Sequence, residues 1–369
     1  MKELDGKAEM VYLWVRAYIE ENKFSSNTRL PSENTLSRKL SVSRETVRRA
    51  LERLTREGLL LRVKGSGTYI DKEAALSWEL GGSGGKLKIG LILQGQDGNA
   101  NSSLMEGIRS ILPSDQVDLR TFLTDNKFAN ERHCLQTVVN QGFQGFIVDG
   151  VKASLLNPNL DCYQKIYQKR IPVIFYNNYY RNLKCPRVVV NDLRCAEELI
   201  GLLIRQGHRN IAGIFVSDNY QSNEKFQGMA ATLQKNGVEY QDDYTKWCVS
   251  NEAHDPSFVR SIDRFLKRLP QCTAVVCCNY MIYRMVRQVL EKQGRRVPED
   301  CSLVCFDYSN EDWEAEGVTC SVHQGFRIGR EVASRLIRMI RNRDCDDINY
   351  TYVLAPEIYL GRTVGPARN

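Results

Sequence analysis

Residues 30–70, LPSENTLSRKLSVSRETVRRALERLTREGLLLRVKGSGTYI, permit few folds. Ser43 follows a short break and is placed to cap a helix by accepting backbone N–H groups. From there Val47, Leu51 and Leu54 recur at helical spacing and define a core-facing stripe. Arg44 and Arg48 lie one turn apart on the opposite side and point outward together. Upstream, Leu36, Leu40 and Val42 supply the apolar face of a short preceding helix. Downstream, Leu59, Leu61 and Val63 alternate, Gly65-Ser66-Gly67 turns tightly, and Thr68-Tyr69-Ile70 returns. An isolated basic amphipathic helix is usually only a solvated face. Here it comes with a partner helix, a turn and a glycine-tipped wing, the order of a winged helix-turn-helix that enters the DNA major groove.

The stretch resembles the signature of the GntR family of bacterial transcription regulators, LPSE…VSR.TVR.AL..L…GL…..G.GT. Leu30, Pro31, Ser32, Glu33, Val42, Ser43, Arg44, Thr46, Val47, Arg48, Ala50, Leu51, Leu54, Gly58, Leu59, Gly65, Gly67 and Thr68 carry the match. The resemblance implies double-stranded operator DNA as partner and paired heads in a homodimer on a palindromic site. Arg44 is the candidate for base readout, because a guanidinium grips guanine O6 and N7 bidentately. Arg48 and Thr46 hold phosphates or share that contact, and Gly67 with Ser66 brings the wing backbone to the sugar-phosphate rail. Ser43 and Asn34 complete the DNA-contact candidates; Asn34 can still bond a base edge but stands where the family commonly has arginine, so an operator sequence does not transfer from relatives. Arg49 and Arg53 either touch DNA or pair with Glu45, Glu52 and Glu57.

The charge distribution agrees with this division. Residues 1–70 hold 14 Lys/Arg against 9 Asp/Glu, and residues 71–369 hold 37 against 35, so most of the net +7 belongs to the head. At 369 residues the chain implies two to three domains. The start, MKELDGKAEM, is charged, and no run of about 18 apolar residues exists to cross a bilayer. A cytoplasmic protein without membrane attachment is expected. The twelve cysteines form no CxxC pair, and the four histidines do not cluster with them. Buried free thiols are therefore expected, with no metal and no cofactor.

Three regions follow: a head over 1–71, a flexible linker over 72–86 containing LGGSGG, and a body over 87–365. A glycine-rich tether suggests that an effector changes dimer geometry or avidity more than it moves a rigid lever. The body alternates short apolar runs with amphipathic helices. Strands are read at 88–93, 117–122, 145–149, 172–176 and 188–190, with helices at 101–112, 129–141 and 154–169 between them. A second set has helices at 193–206, 223–236, 256–268 and 281–293, and strands at 211–216, 245–249, 273–278 and 302–306. The pattern predicts an α/β fold with two lobes in series, each a parallel sheet flanked by helices. Ligands of such sheets bind beyond the carboxyl ends of the strands, which places a pocket between the lobes.

Two phrases of the body, GHRNIA at 207–212 and RVPEDCSLVCFD at 296–307, resemble the sugar-binding effector domain of the LacI/periplasmic-binding-protein type. That resemblance implies a monosaccharide effector such as arabinose or fucose, and control of carbohydrate-use genes through a repressor. Candidate ligand contacts just past strand ends are Asp97, Lys152 and Asn177 in the first lobe, and Asp218, Tyr220, Lys225, Asn279, Tyr280 and Asp307 in the second. Phe175, Tyr176, Tyr179 and Tyr180 are candidates to stack on a sugar ring. Lys225 aligns with the family's sugar-gripping arginine and Tyr280 with its aspartate, which changes hydroxyl recognition. A body that senses a protein or a phosphorylated metabolite is the alternative. An enzyme is disfavoured by the lack of a GxxxxGK[ST] loop, a GxSxG elbow or a carboxylate pair at metal spacing.

Overall fold

A computed structural model describes residues 6–21, 29–56, 60–63, 66–70, 86–95, 98–309, 313–342, 344–345 and 347–368. The glycine-rich linker, Gly58, Leu59, Gly65 and Asp97 lie outside them.

The head comprises α1 (Gly6–Glu21), α2 (Glu33–Leu40), α3 (Arg44–Arg56), and a hairpin of β1 (Leu60–Val63) and β2 (Gly67–Ile70). Ser32 Oγ accepts from the Thr35 backbone N–H at 3.2 Å and starts α2. Ser41, at φ +53°, ends that helix in the left-handed conformation and returns its N–H to Arg38 O. Ser43 Oγ then accepts from Thr46 N at 3.1 Å and starts α3. Val47, Leu51 and Leu54 turn inward onto Leu36, Leu60 and Ile70, as their spacing requires. The sequence reading had no counterpart for α1, which brings Val11 and Val15 to the same core.

The body contains two six-stranded sheets. The first lobe orders β4 (Val117–Leu123), β3 (Leu87–Leu93), β5 (Gly145–Val148), β6 (Val173–Tyr176), β7 (Arg187–Val190) and β13 (Tyr352–Leu354), all parallel. Its helices are α4 (Gly98–Ile111), α5 (Phe128–Asn140), α6 (Leu160–Gln168) and α13 (Gly325–Asn342). The second lobe orders β9 (Thr245–Cys248), β8 (Ile211–Val216), β10 (Ala274–Cys277), β11 (Ser302–Tyr308), β12 (Thr319–Val322) and β14 (Ile358–Tyr359). Only β14 runs antiparallel there. Its helices include α7 (Asp192–Arg205), α8 (Tyr220–Lys235), α9 (Ser250–Ala253), α10 (Phe258–Lys267), α11 (Tyr280–Lys292) and α12 (Trp313–Glu316); a last turn, α14 (Asp347–Tyr350), leads into β13.

The lobes are not simply in series. After β12 the chain returns to the first lobe, where α13 packs on α4 and β13 pairs with β7, before β14 pairs with β12. Three segments therefore cross between lobes, at 190–192, 322–325 and 354–358. Hydrogen bonds knit them together. Asn191 N donates to Leu354 O at 3.0 Å, and Gln324 Nε2 donates to Ala355 O at 2.9 Å. The helix expected over 154–169 begins only at Leu160, because 151–159 is a chain of turns. Among the described residues no helix is long and apolar enough to cross a membrane.

The α4–α13 contact is made backbone to backbone. A Cβ at Gly107 would stand 2.1 Å from Phe326 O, and one at Gly329 would stand 2.2 Å from Leu104 O. Replacing a helical glycine by alanine ordinarily gains about 1 kcal/mol of helix propensity. Prying apart two helices costs about 1–3 kcal/mol and outweighs that gain. Gly107→Ala and Gly329→Ala should each lower the urea midpoint of the body; an unchanged or raised midpoint would show that the helices separate freely.

Candidate nucleic-acid interface and ligand cleft

On the head, the cap that starts α3 also settles which groups face outward. Arg44 and Arg48 are exposed on the first two turns, and Asn34 is exposed on α2. Arg48 lies 3.7 Å from Glu45, both largely exposed, a pairing worth little in water. Arg44 has no ion-pair partner among the described residues. Thr46 behaves differently from the expectation of a phosphate contact. It is 7 % exposed, and its hydroxyl shares a 2.8 Å hydrogen bond with Ser43 Oγ, so both side chains are engaged in the cap. Arg53 also turns away from the outer face: it bonds Glu9 Oε2 at 3.1 Å and lies over the Tyr12 ring, fastening α3 to α1.

The wing is set by Gly67, whose φ of +126° is a conformation that side chains rarely adopt. A Cβ there would meet the Arg29 guanidinium at 2.8 Å. Arg29 bridges Tyr69, and Leu30 N donates to Thr68 O at 2.9 Å, so the segment entering α2 lies against the wing strand. Arg62 reaches back from β1 to Glu33 Oε1 at 3.2 Å. Arg29 escaped the sequence reading because its partner glycine is far along the chain.

In the body, a cleft of about 740 Å³ lies between the lobes at the carboxyl ends of both sheets. Gln94 follows β3, Asp125 and Asn126 follow β4, Asp149 follows β5, and Asn177 and Asn178 follow β6. Asn219, Gln221, Lys225, Ser250, Asn279, Tyr280, Asp307 and His323 face them from the second lobe. Of the seven non-glycine residues at positive φ among those described, Asp125, Asn126, Asn177 and Asp307 line this cleft. Backbone strain of this kind clusters where side chains must be aimed at a ligand. Asn177 Oδ1 is buried there without a hydrogen-bond partner. A ligand hydroxyl would satisfy it.

The first-lobe wall is held by Asp149. Its Oδ1 accepts from Asn178 Nδ2 at 3.1 Å and from Gln94 Nε2 at 3.3 Å, while Gln94 also donates to Gly150 O at 2.6 Å. In the second lobe Lys225 is 2 % exposed and forms a short ion pair with Asp307. Lys225 Nζ also donates to Cys278 O at 3.3 Å and stands 3.8 Å from Asp192. Burial opposes the charge on Lys225, but the adjoining Asp307 carboxylate outweighs it and holds its pKa above the ordinary lysine value. The lysine expected to reach a sugar is thus committed to protein groups. Among the described residues, Asp125, Asp149 and Asp307 line the cleft against the one ammonium of Lys225.

Asn177, Lys225, Tyr280 and Asp307 all line the cleft, whereas Lys152, Asp218 and Tyr220 do not. Lys152 uses its backbone N–H, donating to Asn126 Oδ1 at 3.0 Å. Asp218 is buried, and its Oδ1 accepts from Ser250 N at 2.8 Å and Ser250 Oγ at 2.6 Å, pinning the loop after β9 to that after β8. Of the aromatics expected to stack on a sugar, only Tyr176 lines the cleft. Phe175 and Tyr180 are buried with Tyr163, where Tyr163 and Tyr180 donate to the buried Glu131 at 2.8 and 2.6 Å. Tyr179 stands edge-on to Tyr220 of the other lobe, with ring centroids 4.6 Å apart. Asn279, a candidate beside Tyr280, also lines the cleft, whereas Gln94, Asn126, Asp149 and Asn178 were missed, although each follows a strand end and was within reach of that rule. Among the described residues no group of three or more His, Cys, Asp or Glu could hold a metal ion.

Comparison with known proteins matches both parts. Residues 7–70 match the model of bacterial regulatory proteins of the gntR family, and residues 200–364 match a periplasmic binding protein-like domain. The chain is 26% identical to the arabinose metabolism transcriptional repressor of Geobacillus stearothermophilus, over 93% of each chain. It is 25% identical to the repressor of the same description from Halalkalibacterium halodurans, over 99% of this chain and 98% of that one. Among solved structures, a LacI family transcriptional regulator from Enterococcus faecium with bound ribose superposes with a TM-score of 0.61 at 18% identity, covering 76% of this chain and all of that one. The protein therefore joins a winged-helix head of the gntR family of bacterial regulatory proteins to a LacI-like, periplasmic-binding-protein-like body.

Proposed function

We propose that this protein is a homodimeric transcriptional repressor of carbohydrate-use genes whose hold on operator DNA is controlled by an unphosphorylated monosaccharide in the inter-lobe cleft. The observation that carries the reading is the cleft's chemistry. Amides and carboxylates at strand ends present acceptors and donors suited to hydroxyls, with the Asn177 oxygen still unsatisfied. A phosphorylated ligand fits this lining poorly. Asp125, Asp149 and Asp307 would repel it, and Lys225 would have to give up Asp307 to meet it. L-arabinose is the first sugar to try, since two relatives matched along nearly their whole length are described as arabinose metabolism repressors. The residues 1–71, 72–86 and 87–365 serve as head, tether and sensor in this scheme.

On the DNA side Arg44 is assigned to a base edge and Arg48 to a phosphate, with Asn34 and the wing at Gly67 beside them. Ser43 and Thr46 act by fixing the helix start that aims both arginines.

Thermal melting of the full chain against L-arabinose, L-fucose, D-ribose and their phosphates tests the sensor. A ligand at 100 times its Kd should add about 2.7 kcal/mol of stability, raising Tm with concentration. A free pentose or deoxyhexose is expected to do so and its phosphate is not; a response to the phosphate alone would overturn the reading of the cleft.

For the head, Arg44→Ala should relax discrimination at one operator position by about 1–3 kcal/mol. Arg48→Ala should weaken every sequence alike and reduce the salt slope by about one. Binding titrations on operator variants at several salt concentrations separate the two, and equal, sequence-independent losses would refute the division of roles.

A further inference from the structure

Beside Lys225 lies a second carboxylate that does not line the cleft. Asp192 begins α7, immediately after Asn191 on the first inter-lobe crossing, and is 2 % exposed. Both its carboxyl oxygens are buried with no partner at full hydrogen-bonding distance, and the Gln221 side chain is the amide placed nearest to offer one. The nearest cation is Lys225 at 3.8 Å, beyond hydrogen-bonding distance, because Lys225 is drawn to Asp307 on the cleft side. One ammonium thus stands between two carboxylates, one facing the cleft and one in the hinge.

We propose that Asp192 is a positioning residue of the ligand site, competing with Asp307 for the Lys225 ammonium and so tying occupancy of the cleft to the first inter-lobe crossing. The proposal rests on the reading of the cleft as a ligand site. When a ligand hydroxyl donates to Asp307, the claim of Asp307 on Lys225 weakens. A movement of about 1 Å then brings Lys225 Nζ into hydrogen-bonding distance of Asp192 Oδ1. The crossing that carries Asp192 is itself bonded to the third crossing through Asn191 N and Leu354 O. A change in the ammonium's partner is therefore felt where the lobes pivot.

The exchange carries a proton. In the ligand-free arrangement burial pushes the Asp192 carboxyl well above the usual range, an effect that Lys225 only partly offsets and that Asp307 and Glu224 reinforce. Burial thus favours the protonated form of Asp192. Once Lys225 moves to it, the carboxyl ionises and the proton leaves to solvent. The groups facing Asp192 are Lys225, Glu224 and Gln221 from α8, Asp307 from β11, and Cys195 from its own helix. Burial holds the Cys195 thiol up, so it stays neutral. Ligand binding that releases one proton strengthens as pH rises, by about tenfold per pH unit at most, between the bound and free pKa of Asp192.

The test has two arms on the full chain, with melting curves to verify folding of each variant. Without sugar, infrared spectra of the native chain should contain a protonated-carboxyl band that Asp192→Asn removes. Asp307→Asn, which frees Lys225 as a ligand would, should remove the same band while Asp192 remains. With L-arabinose, calorimetry in buffers of different ionisation enthalpy should show proton release in the native chain and less in Asp192→Asn. The difference is decisive, since His254 and His323 also line the cleft. A native chain without the band, or a band indifferent to Asp307→Asn, overturns the competition. Failure of L-arabinose to bind removes only the choice of sugar, and the sugar-free arm still decides the role of Asp192.

Discussion

The body depends on three chain crossings that hold two parallel sheets with their carboxyl ends face to face. A parallel sheet presents its functional loops at one end only. Two sheets joined by one crossing would share those ends loosely, whereas here the crossings at 190–192, 322–325 and 354–358 bond to one another through Asn191, Leu354, Gln324 and Ala355. The three crossings are thus fastened to one another by backbone and side-chain hydrogen bonds rather than standing as separate tethers. Cross-lobe contacts beside the cleft join the lobes further. Tyr220 N donates to Asn178 Oδ1 at 3.2 Å, and Asn223 Nδ2 donates to Ser154 Oγ at 2.8 Å.

Within this frame the polar groups divide by what they bond. Asp149 and Asp218 are both carboxylates just past strand ends, yet Asp149 lines the cleft while Asp218 is occupied by Ser250. The same division holds for the head. Ser43 and Thr46 bond each other and fix where α3 begins, which leaves Arg44 and Arg48 free to project from its first turns. A short side chain on the cap is thus as necessary to the outer face as the long ones that would meet a partner.

How much of this was legible in the sequence follows from the range of the interactions involved. The cap at Ser43, the stripe of Val47, Leu51 and Leu54, and the body strands such as 88–93 and 211–216 were readable because each is decided within one or two turns or one strand. The strand β13 was not. It has three residues, and its partner β7 lies more than 160 positions earlier. Lys225 and Asp307 were each placed at the cleft, but their mutual pairing across 82 positions leaves no local trace. Phe175 and Tyr180 misled for a related reason: an aromatic run after a strand reads as a sugar platform, and only the buried Glu131 on α5 reveals that the Tyr180 hydroxyl is wanted inside.

The departures of Lys225 and Tyr280 from the pattern of the LacI type acquire a physical sense in the fold. An arginine at 225 would carry a planar fork able to serve Asp307 and a ligand together. A lysine has one compact ammonium, and once Asp307 and Cys278 hold it, little remains for a sugar. Under the proposed function, the amides and carboxylates of the opposite wall are left to meet a sugar, together with Tyr280, whose ring stands 4.6 Å from that of Tyr308. The commitment of Lys225 to Asp307 also leaves it 3.8 Å from Asp192, beyond hydrogen-bonding distance. In the proposed scheme, specificity and hinge electrostatics both follow from one residue choice at position 225.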